Sequence, residues 1–430
     1  DVIEPAASPW CSNVVLIRKQ DGSLRFCVDY RALNLCIYKD NFPLARIDTC
    51  LEALGGNEFY TTLDLRAGYW QTLIRPSDRD KTAFVTRKGQ WRFKVLSFGL
   101  CNAPSQFART MELVLSGLTY ESCLVYLDDV IIFGRSFDQH LERLNEVLCR
   151  LENANLKLKP SKCFVFQRKV TFLGHVVGKE GIECSPDKIE AVRSWPNLSN
   201  VGEVRTFLGL AGYYRSFVRN FADIARPLTA LTRKHAVFQW TEVEQAAFDK
   251  LKECLITSPV LASPQDEGKF VLDTDASNEA LGAVLQQEQN GRLPVIAYAS
   301  RALADSEKRY CTTRKELLAV VYGLKKFRHY LLGRRFLIRT DHAALTYLQH
   351  TPTLVGQQSR WLDLIGEFSF EIQHRAGTSS GNADSLSRIP CARVPSAVCG
   401  QCAPKQGEKC SHDRPPDKPP DGYSARLTAD

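Results

Sequence analysis

Asp128 and Asp129 stand side by side between two apolar tetrads, Leu124-Val125-Tyr126-Leu127 and Val130-Ile131-Ile132-Phe133. That pattern reads as a buried β-hairpin with two carboxylates at its tip. Adjacent aspartates in an apolar hairpin are costly, because like charges are held together and partly desolvated. A divalent cation offsets the cost; Mg²⁺ takes one or two carboxylates together with substrate phosphates. Asp64, in Leu63-Asp64-Leu65, ends a neighbouring strand pattern and would complete a two-metal site for in-line phosphoryl transfer. A bare Asp-Asp is more often a simple turn, and it is the apolar flanks that favour chemistry here.

A second set of acids lies in the other half of the chain. Asp275 ends a strand pattern, Glu316 opens a helical one, Asp341 follows a strand, and Asp384 lies in Asn382-Ala383-Asp384-Ser385-Leu386. Brought together, four such carboxylates hold two cations, activate water and stabilise a leaving 3′-oxygen. Singly each would be an ordinary solvated acid. Asp273, on the alternate face of the Asp275 strand, reads as a bystander.

These side chains need a scaffold. Strand patterns cover residues 14–17, 24–28 and 59–65, with a turn at Asp21-Gly22, and a helix is expected over 103–115 beside Pro104. An amphipathic helix follows at 137–155, then a helical run over 201–231 and another near 241–255. Past Ser258-Pro259 the expected order is strand 270–274, strand 280–286, strand 295–300, helix 313–331, strand 336–340 and helices to Leu386. From Ile389 onward the chain is Pro-, Gly- and charge-rich, with the texture of a tail or linker.

At 430 residues the chain suits three or four compact units, at about 100–200 residues each. With 44% hydrophobic and 24% charged residues, wholesale disorder and low-complexity classes are excluded. No apolar stretch approaches the roughly 20 residues of a spanning helix, and no basic-then-apolar leader opens the sequence. A soluble, intracellular protein is expected. Asp1 at the start and Met111 as the lone methionine suggest a piece of something longer. The 15 cysteines are odd in number and scattered, which reads as reduced, mostly buried thiols. Cys399, Cys402, Cys410 and His412 could form a zinc site, but their spacing is irregular. Net charge is +8, and residues 301–339 alone carry eleven Lys or Arg against three acids. That segment suits a polyanion, or else is a solvated helix face.

Five blocks in order resemble those of a reverse transcriptase: Val15-Leu16-Ile17-Arg18-Lys19-Gln20-Asp21-Gly22, Val28-Asp29-Tyr30-Arg31-Ala32-Leu33-Asn34, Leu63-Asp64-Leu65-Arg66-Ala67-Gly68-Tyr69, Phe98-Gly99-Leu100-Cys101-Asn102-Ala103-Pro104 and Tyr126-Leu127-Asp128-Asp129. They are most similar to the gypsy-type LTR retrotransposon Pol polyprotein, and the resemblance runs from about Val2 to Arg388. It implies that Asp64, Asp128 and Asp129 are the polymerase metal triad. It also implies that Lys19 and Arg25 meet the incoming triphosphate, and that Tyr69 crowds a ribose 2′-hydroxyl, although an ordinary core aromatic is the alternative for Tyr69. Gln106 and Phe107 match the helix near the template, with core packing an equal reading for Phe107. Ser97 stands where the family often has Pro, and Trp70 where it has His.

Asp275, Glu316, Asp341 and Asp384 resemble the metal-binding acids of the RNase H domain of the same polyproteins. His374 matches a loop histidine that helps metal or product leave in some RNase H enzymes; Ala376 departs from the family's usual Pro nearby. Residues 203–215 resemble the family's connection segment.

The implied fold combines α+β and α/β domains: a right-hand polymerase of fingers, palm and thumb, a connection segment and an RNase H-like domain. The expected divisions are 1–133 for fingers and palm, 134–195 for the end of the palm and thumb, 196–262 for the connection, 263–388 for the RNase H-like domain and 389–430 for a tail. The expected function is RNA-directed DNA polymerase with linked RNase H, using Mg²⁺ or alternatively Mn²⁺. Template-primer, RNA–DNA hybrid and dNTPs are the expected partners, with a homodimer allowed and no membrane. A cytoplasmic setting is expected, in a particle if the element makes them. The rival is an inactive or domesticated copy that only binds nucleic acid, or a reverse transcriptase of non-LTR or intron type.

Overall fold

Two strands, Phe59–Asp64 and the continuous apolar run of Asp129–Gly134, pair antiparallel at the centre of a four-stranded sheet. Cys123–Tyr126 flanks them on one side and Phe164–Gln167 on the other. The computed structural model describes residues 2–18, 22, 24–43, 45–342 and 357–374, so Lys19, Asp384 and the tail cysteines lie outside the described residues.

Val130 and Ile132 face a core with Leu63, Phe107, Met111, Leu144 and Val147, whereas Ile131 and Phe133 face Leu51, Leu54, Tyr60 and Val170. The strand is covered on both faces, which explains why it reads as an unbroken apolar run. Helices Ala103–Val114 and Phe137–Asn153 supply the first cover. The second helix starts where Ser136 accepts a hydrogen bond from the Gln139 amide, an N-cap.

The 201–231 segment, expected as one helical run, is broken. It forms Val201–Tyr213, a 3₁₀ turn at Arg215–Phe217, then Phe221–Ile224 and Arg226–Leu231. Asn220 has φ 52°, a left-handed conformation that ends helical propagation, and Pro227 sits in the first turn of the last piece, where its missing N–H costs nothing. The next helix, Glu242–Ile256, opens on a Thr241–Glu244 capping box.

Beyond it lies a five-stranded sheet ordered Val295–Ala302, Ala280–Gln287, Phe270–Ala276, Arg335–Thr340, Ser369–His374. The first three strands are antiparallel and the last two join in parallel. Helix Thr312–Lys326 lies on one face and buries Leu317, Val320 and Leu324 against Phe270, Leu272 and Leu285. Gly323 lets it ride close, since a Cβ there would stand 3.3 Å from Leu272.

Two expectations are corrected here. The 313–331 helix stops at Lys326 and resumes as Arg328–Leu331. The run of helices expected after residue 340 contains a strand, Ser369–His374, whose Phe370 and Ile372 pair in register with Phe336 and Ile338. Of the eleven cysteines among the described residues, all are free thiols, but only Cys50, Cys123 and Cys184 are buried, fewer than expected. No described helix is long and apolar enough to cross a membrane.

Candidate active sites

The hairpin joining Cys123–Tyr126 to Asp129–Gly134 closes through Leu127 and Asp128, with Tyr126 paired to Asp129. Leu127 takes φ 56°, a left-handed conformation uncommon for a bulky residue. The turn places Asp128 at the exposed tip, and Asp129 faces Asp64 as its register partner on the next strand. Crowding of its carboxyl by neighbouring protein, and then the charges of Asp128 and Asp64, hold the Asp129 pKa above the usual range; Lys162 pulls the other way.

Lys162 is a member of this site that sequence reasoning missed. Its ammonium is 3.0 Å from Asp64 Oδ2. The 3₁₀ turn Pro160–Lys162 carries it there, anchored where the Lys159 amide donates to the Asp64 carbonyl at 2.8 Å. The two residues are 98 positions apart, so no local pattern could pair them.

Tyr69, on the 3₁₀ turn Gly68–Gln71, is half-buried with its ring edge-on to Phe98 at 5.1 Å and Phe107 at 5.6 Å. Burial first, and the Asp128 charge second, raise its pKa, which places the phenol within electrostatic reach of the carboxylates. Gly68 makes the approach feasible: a Cβ there would stand 3.1 Å from Phe107 and 3.3 Å from Asp128. The Gln106 amide donates to Asp40 Oδ2 at 2.8 Å, and Arg109 bonds the same carboxylate at 3.0 Å. Arg25 is exposed on the two-stranded hairpin of Val14–Arg18 and Leu24–Val28, opposite Ile17.

In the second sheet the structure brings Asp275, Glu316 and Asp341 within one another's fields. Asp275 stands at the end of its strand as expected, the penultimate residue of Phe270–Ala276, paired to Gly282. Glu316 is 4% exposed, and its Oε2 is buried with no hydrogen-bond partner. Burial, then the charges of Asp341 and Asp275, push its pKa up to about 8. Burial and Asp341 raise Asp275 likewise. An orphaned buried oxygen among carboxylates is the donor chemistry of a hard divalent cation. As they stand, no three candidate ligands among the described residues are drawn in closely enough to hold an ion.

Asp273 is engaged elsewhere: Arg339 grips both its oxygens, at 2.5 and 2.8 Å, from the adjacent parallel strand. His374 bonds the Asp341 carbonyl at 2.9 Å. The basic 301–339 segment is not one free face. Arg301 pairs with Glu307, Lys308 with Glu279, Arg328 with Glu367 and Arg335 with Glu371, while Lys325 and Lys326 are exposed.

Residues 17–177 match the reverse transcriptase (RNA-dependent DNA polymerase) family, and residues 240–338 match the RNase H-like domain found in reverse transcriptase. The Pol polyprotein from Drosophila melanogaster transposon 297 is 42% identical over 394 residues, 90% of this chain. That from transposon gypsy of the same organism is 36% identical over 406 residues, also 90% of the chain. The chain resembles the gypsy-type Pol family over 90% of its own length. It carries that family's reverse transcriptase and RNase H-like domains, and it spans 37% and 39% of the length of these two relatives. Both families are generally dependent on divalent metal.

The fold is also that of the foamy viral protease-reverse transcriptase. Its structure in complex with dsDNA matches with TM-score 0.75 at 23% identity, covering 86% of this chain and 79% of that one. Its structure in complex with RNA/DNA hybrid matches with TM-score 0.73 at 22% identity, covering 93% and 54%.

Proposed function

We propose that this gypsy-type segment extends a primer on an RNA or DNA template at Asp64, Asp128 and Asp129, and cuts the RNA of the resulting hybrid at Asp275, Glu316 and Asp341. Asp384, outside the described residues, would be the fourth acid of the second site. The observation that carries the reading is the juxtaposition of Asp64 and Asp129 as register partners, with Asp128 at the adjoining hairpin tip. It is supported by the nucleic-acid complexes of the structural neighbours.

The two carboxylate sets would each hold Mg²⁺, which when bound supplies Lewis-acid polarisation of the reacting phosphoryl group. The protein's own share is positional. Asp64 and Asp129 sit on hydrogen-bonded strands, so their separation is held by the ladder. Lys162 balances Asp64 until a substrate arrives. Tyr69 presents a ring braced by two phenylalanines, and such a ring beneath the sugar admits a deoxyribose more readily than a ribose. Lys19 and Arg25 would meet the triphosphate, Arg by its fork and Lys as a point charge. The expected divisions of the chain, with a connection between the polymerase and RNase H-like parts, fit this division of labour.

The test is primer extension on an RNA template with dNTPs, with and without Mg²⁺, beside cleavage of a labelled RNA–DNA hybrid. Mg²⁺-dependent extension and cleavage support the reading. A chain that binds template-primer tightly but performs neither reaction is a copy kept only for binding.

A further inference from the structure

We propose that Thr313 and His342 are positioning residues of the RNase H-like site: the hydrogen bond between them sets the gap that a divalent cation bridges between Glu316 and Asp341. The proposal rests on the reading of that site given above. The three acids reach the site by different routes. Asp273 pairs with Arg339 across the parallel strands Phe270–Ala276 and Arg335–Thr340. Asp275 stands two residues past the one and Asp341 two past the other, so the sheet carries both to the same level. Glu316 comes instead from helix Thr312–Lys326, whose apolar hold on the sheet is through Leu317, Val320 and Leu324. Such burial decides which face of a helix turns inward, but it is non-directional and sets the helix's height along the strands only loosely.

Polar links supply the direction. The Lys315 ammonium donates to Asn278 Oδ1 at 3.0 Å and ties the helix to the turn that follows Asp275. Thr313 Oγ1 and His342 Nε2 share a hydrogen bond of 2.8 Å, which ties the same helix to the residue after Asp341. Thr313 and Glu316 are three positions apart and so share a helix face. The bond therefore closes a short circuit that runs through both carboxylate-bearing residues. Its far side is anchored as well: the His342 amide donates to Thr340 Oγ1 at 3.2 Å, and His374 bonds the Asp341 carbonyl at 2.9 Å. The Glu316 Oε2 left buried without a partner is the oxygen this circuit offers to a cation. Removing a group that orients metal ligands without touching the metal costs roughly 10–100-fold in affinity.

The experiment measures Mn²⁺ binding to the full chain by electron paramagnetic resonance, without nucleic acid and with Asp128→Asn in the background. The ion whose binding is lost in Glu316→Gln defines the site. Thr313→Val and His342→Phe are each expected to weaken that ion roughly tenfold, and the double variant no further than either alone, because both singles break one bond. Thr313→Ser keeps the hydroxyl and is expected to bind as the parent does. In hybrid cleavage the loss should appear as a higher Mg²⁺ requirement, with the rate at saturating Mg²⁺ retained. Should Thr313→Val fail to fold by circular dichroism, His342→Phe against the parent decides the matter alone. Unchanged affinity in a folded single variant, or losses that multiply in the double, overturns the proposal. So does a His342→Phe protein that cleaves poorly while binding the ion normally, which would make His342 a contact to the hybrid. If the parent binds no Glu316-dependent ion at all, the reading of the site itself falls, and this proposal with it.

Discussion

Asp64 and Asp129 lie directly opposite each other across an antiparallel pair, with Lys162 closing on Asp64 from a third segment. Like charges at directly opposed positions destabilise a sheet. Here the opposition sits at the last rung of the ladder, where the strands open to solvent. The sheet therefore tolerates a concentrated negative site without losing an interior pair.

Asp128→Asn is expected to lower DNA synthesis at least about a hundredfold while leaving hybrid cleavage within about twofold, because the two carboxylate sets are on separate sheets. Primer extension and hybrid cleavage are measured on one preparation. Loss of both activities with circular dichroism unchanged would show that the sites are not independent.

Tyr69→Ala should admit ribonucleotides. The readout is the ratio of kcat/KM for dNTP to that for rNTP, expected to fall at least tenfold, or about 1.4 kcal/mol of discrimination. Losing the edge contacts to Phe98 and Phe107 should also cost about 1–3 kcal/mol of stability. A destabilised protein with the ratio intact would make Tyr69 a core residue only.

Glu316 makes stability depend on pH in the absence of divalent cation. Its folded pKa of about 8 lies above the ordinary 4.5, so the native state binds more protons than the unfolded state between those values. Stability therefore falls as pH rises from about 4.5 to about 8, and levels off above. Thermal unfolding in EDTA should show this decline, of a few kcal/mol in all, and Glu316→Gln should flatten it. Equal slopes in the two proteins would mean that Glu316 is solvated.

Asp273→Ala should destabilise without ending cleavage. It leaves Arg339, a largely buried guanidinium, with Gln286 Oε1 at 2.6 Å as its remaining side-chain partner among the described residues, at a cost of about 2–4 kcal/mol. Asp275→Ala, two residues away, should do the reverse: abolish cleavage and, by relieving crowded like charges, leave stability equal or higher. The pair is compared by chemical denaturation and hybrid cleavage.

What could be read along the chain was whatever is local. The apolar tetrads around Asp128-Asp129 announce a strand buried on both faces, and that is what Val130–Phe133 form. Helix Phe137–Asn153 follows from its own periodicity and from Ser136. Strand Ser369–His374 is not legible along the chain because it offers only Phe370 and Ile372 as apolar signals, and its identity comes from a parallel neighbour more than thirty residues earlier. The break at Asn220 depends on the surface against which it packs. Lys162 and Asp40 escaped for the same reason: each acts on a residue far away in the sequence, and charge on a loop has no periodicity to betray it.

On helix Ile47–Ala53 of the polymerase half, the Glu52 carboxylate accepts hydrogen bonds from Tyr330 Oη at 2.5 Å and His329 Nε2 at 3.1 Å. The separation of 278 residues between Glu52 and Tyr330 sets an order of events during synthesis. At roughly 5–20 residues per second, Glu52 leaves the ribosome tens of seconds before its partner exists. Through that interval its carboxylate must rest in water on a helix packed against a sheet already able to close, since Phe164–Gln167, the last strand of that sheet, is made long before residue 330. The first half is thus born complete and the second arrives as a late guest, which makes a nascent chain stalled after residue 200 a natural place to look for a folded palm.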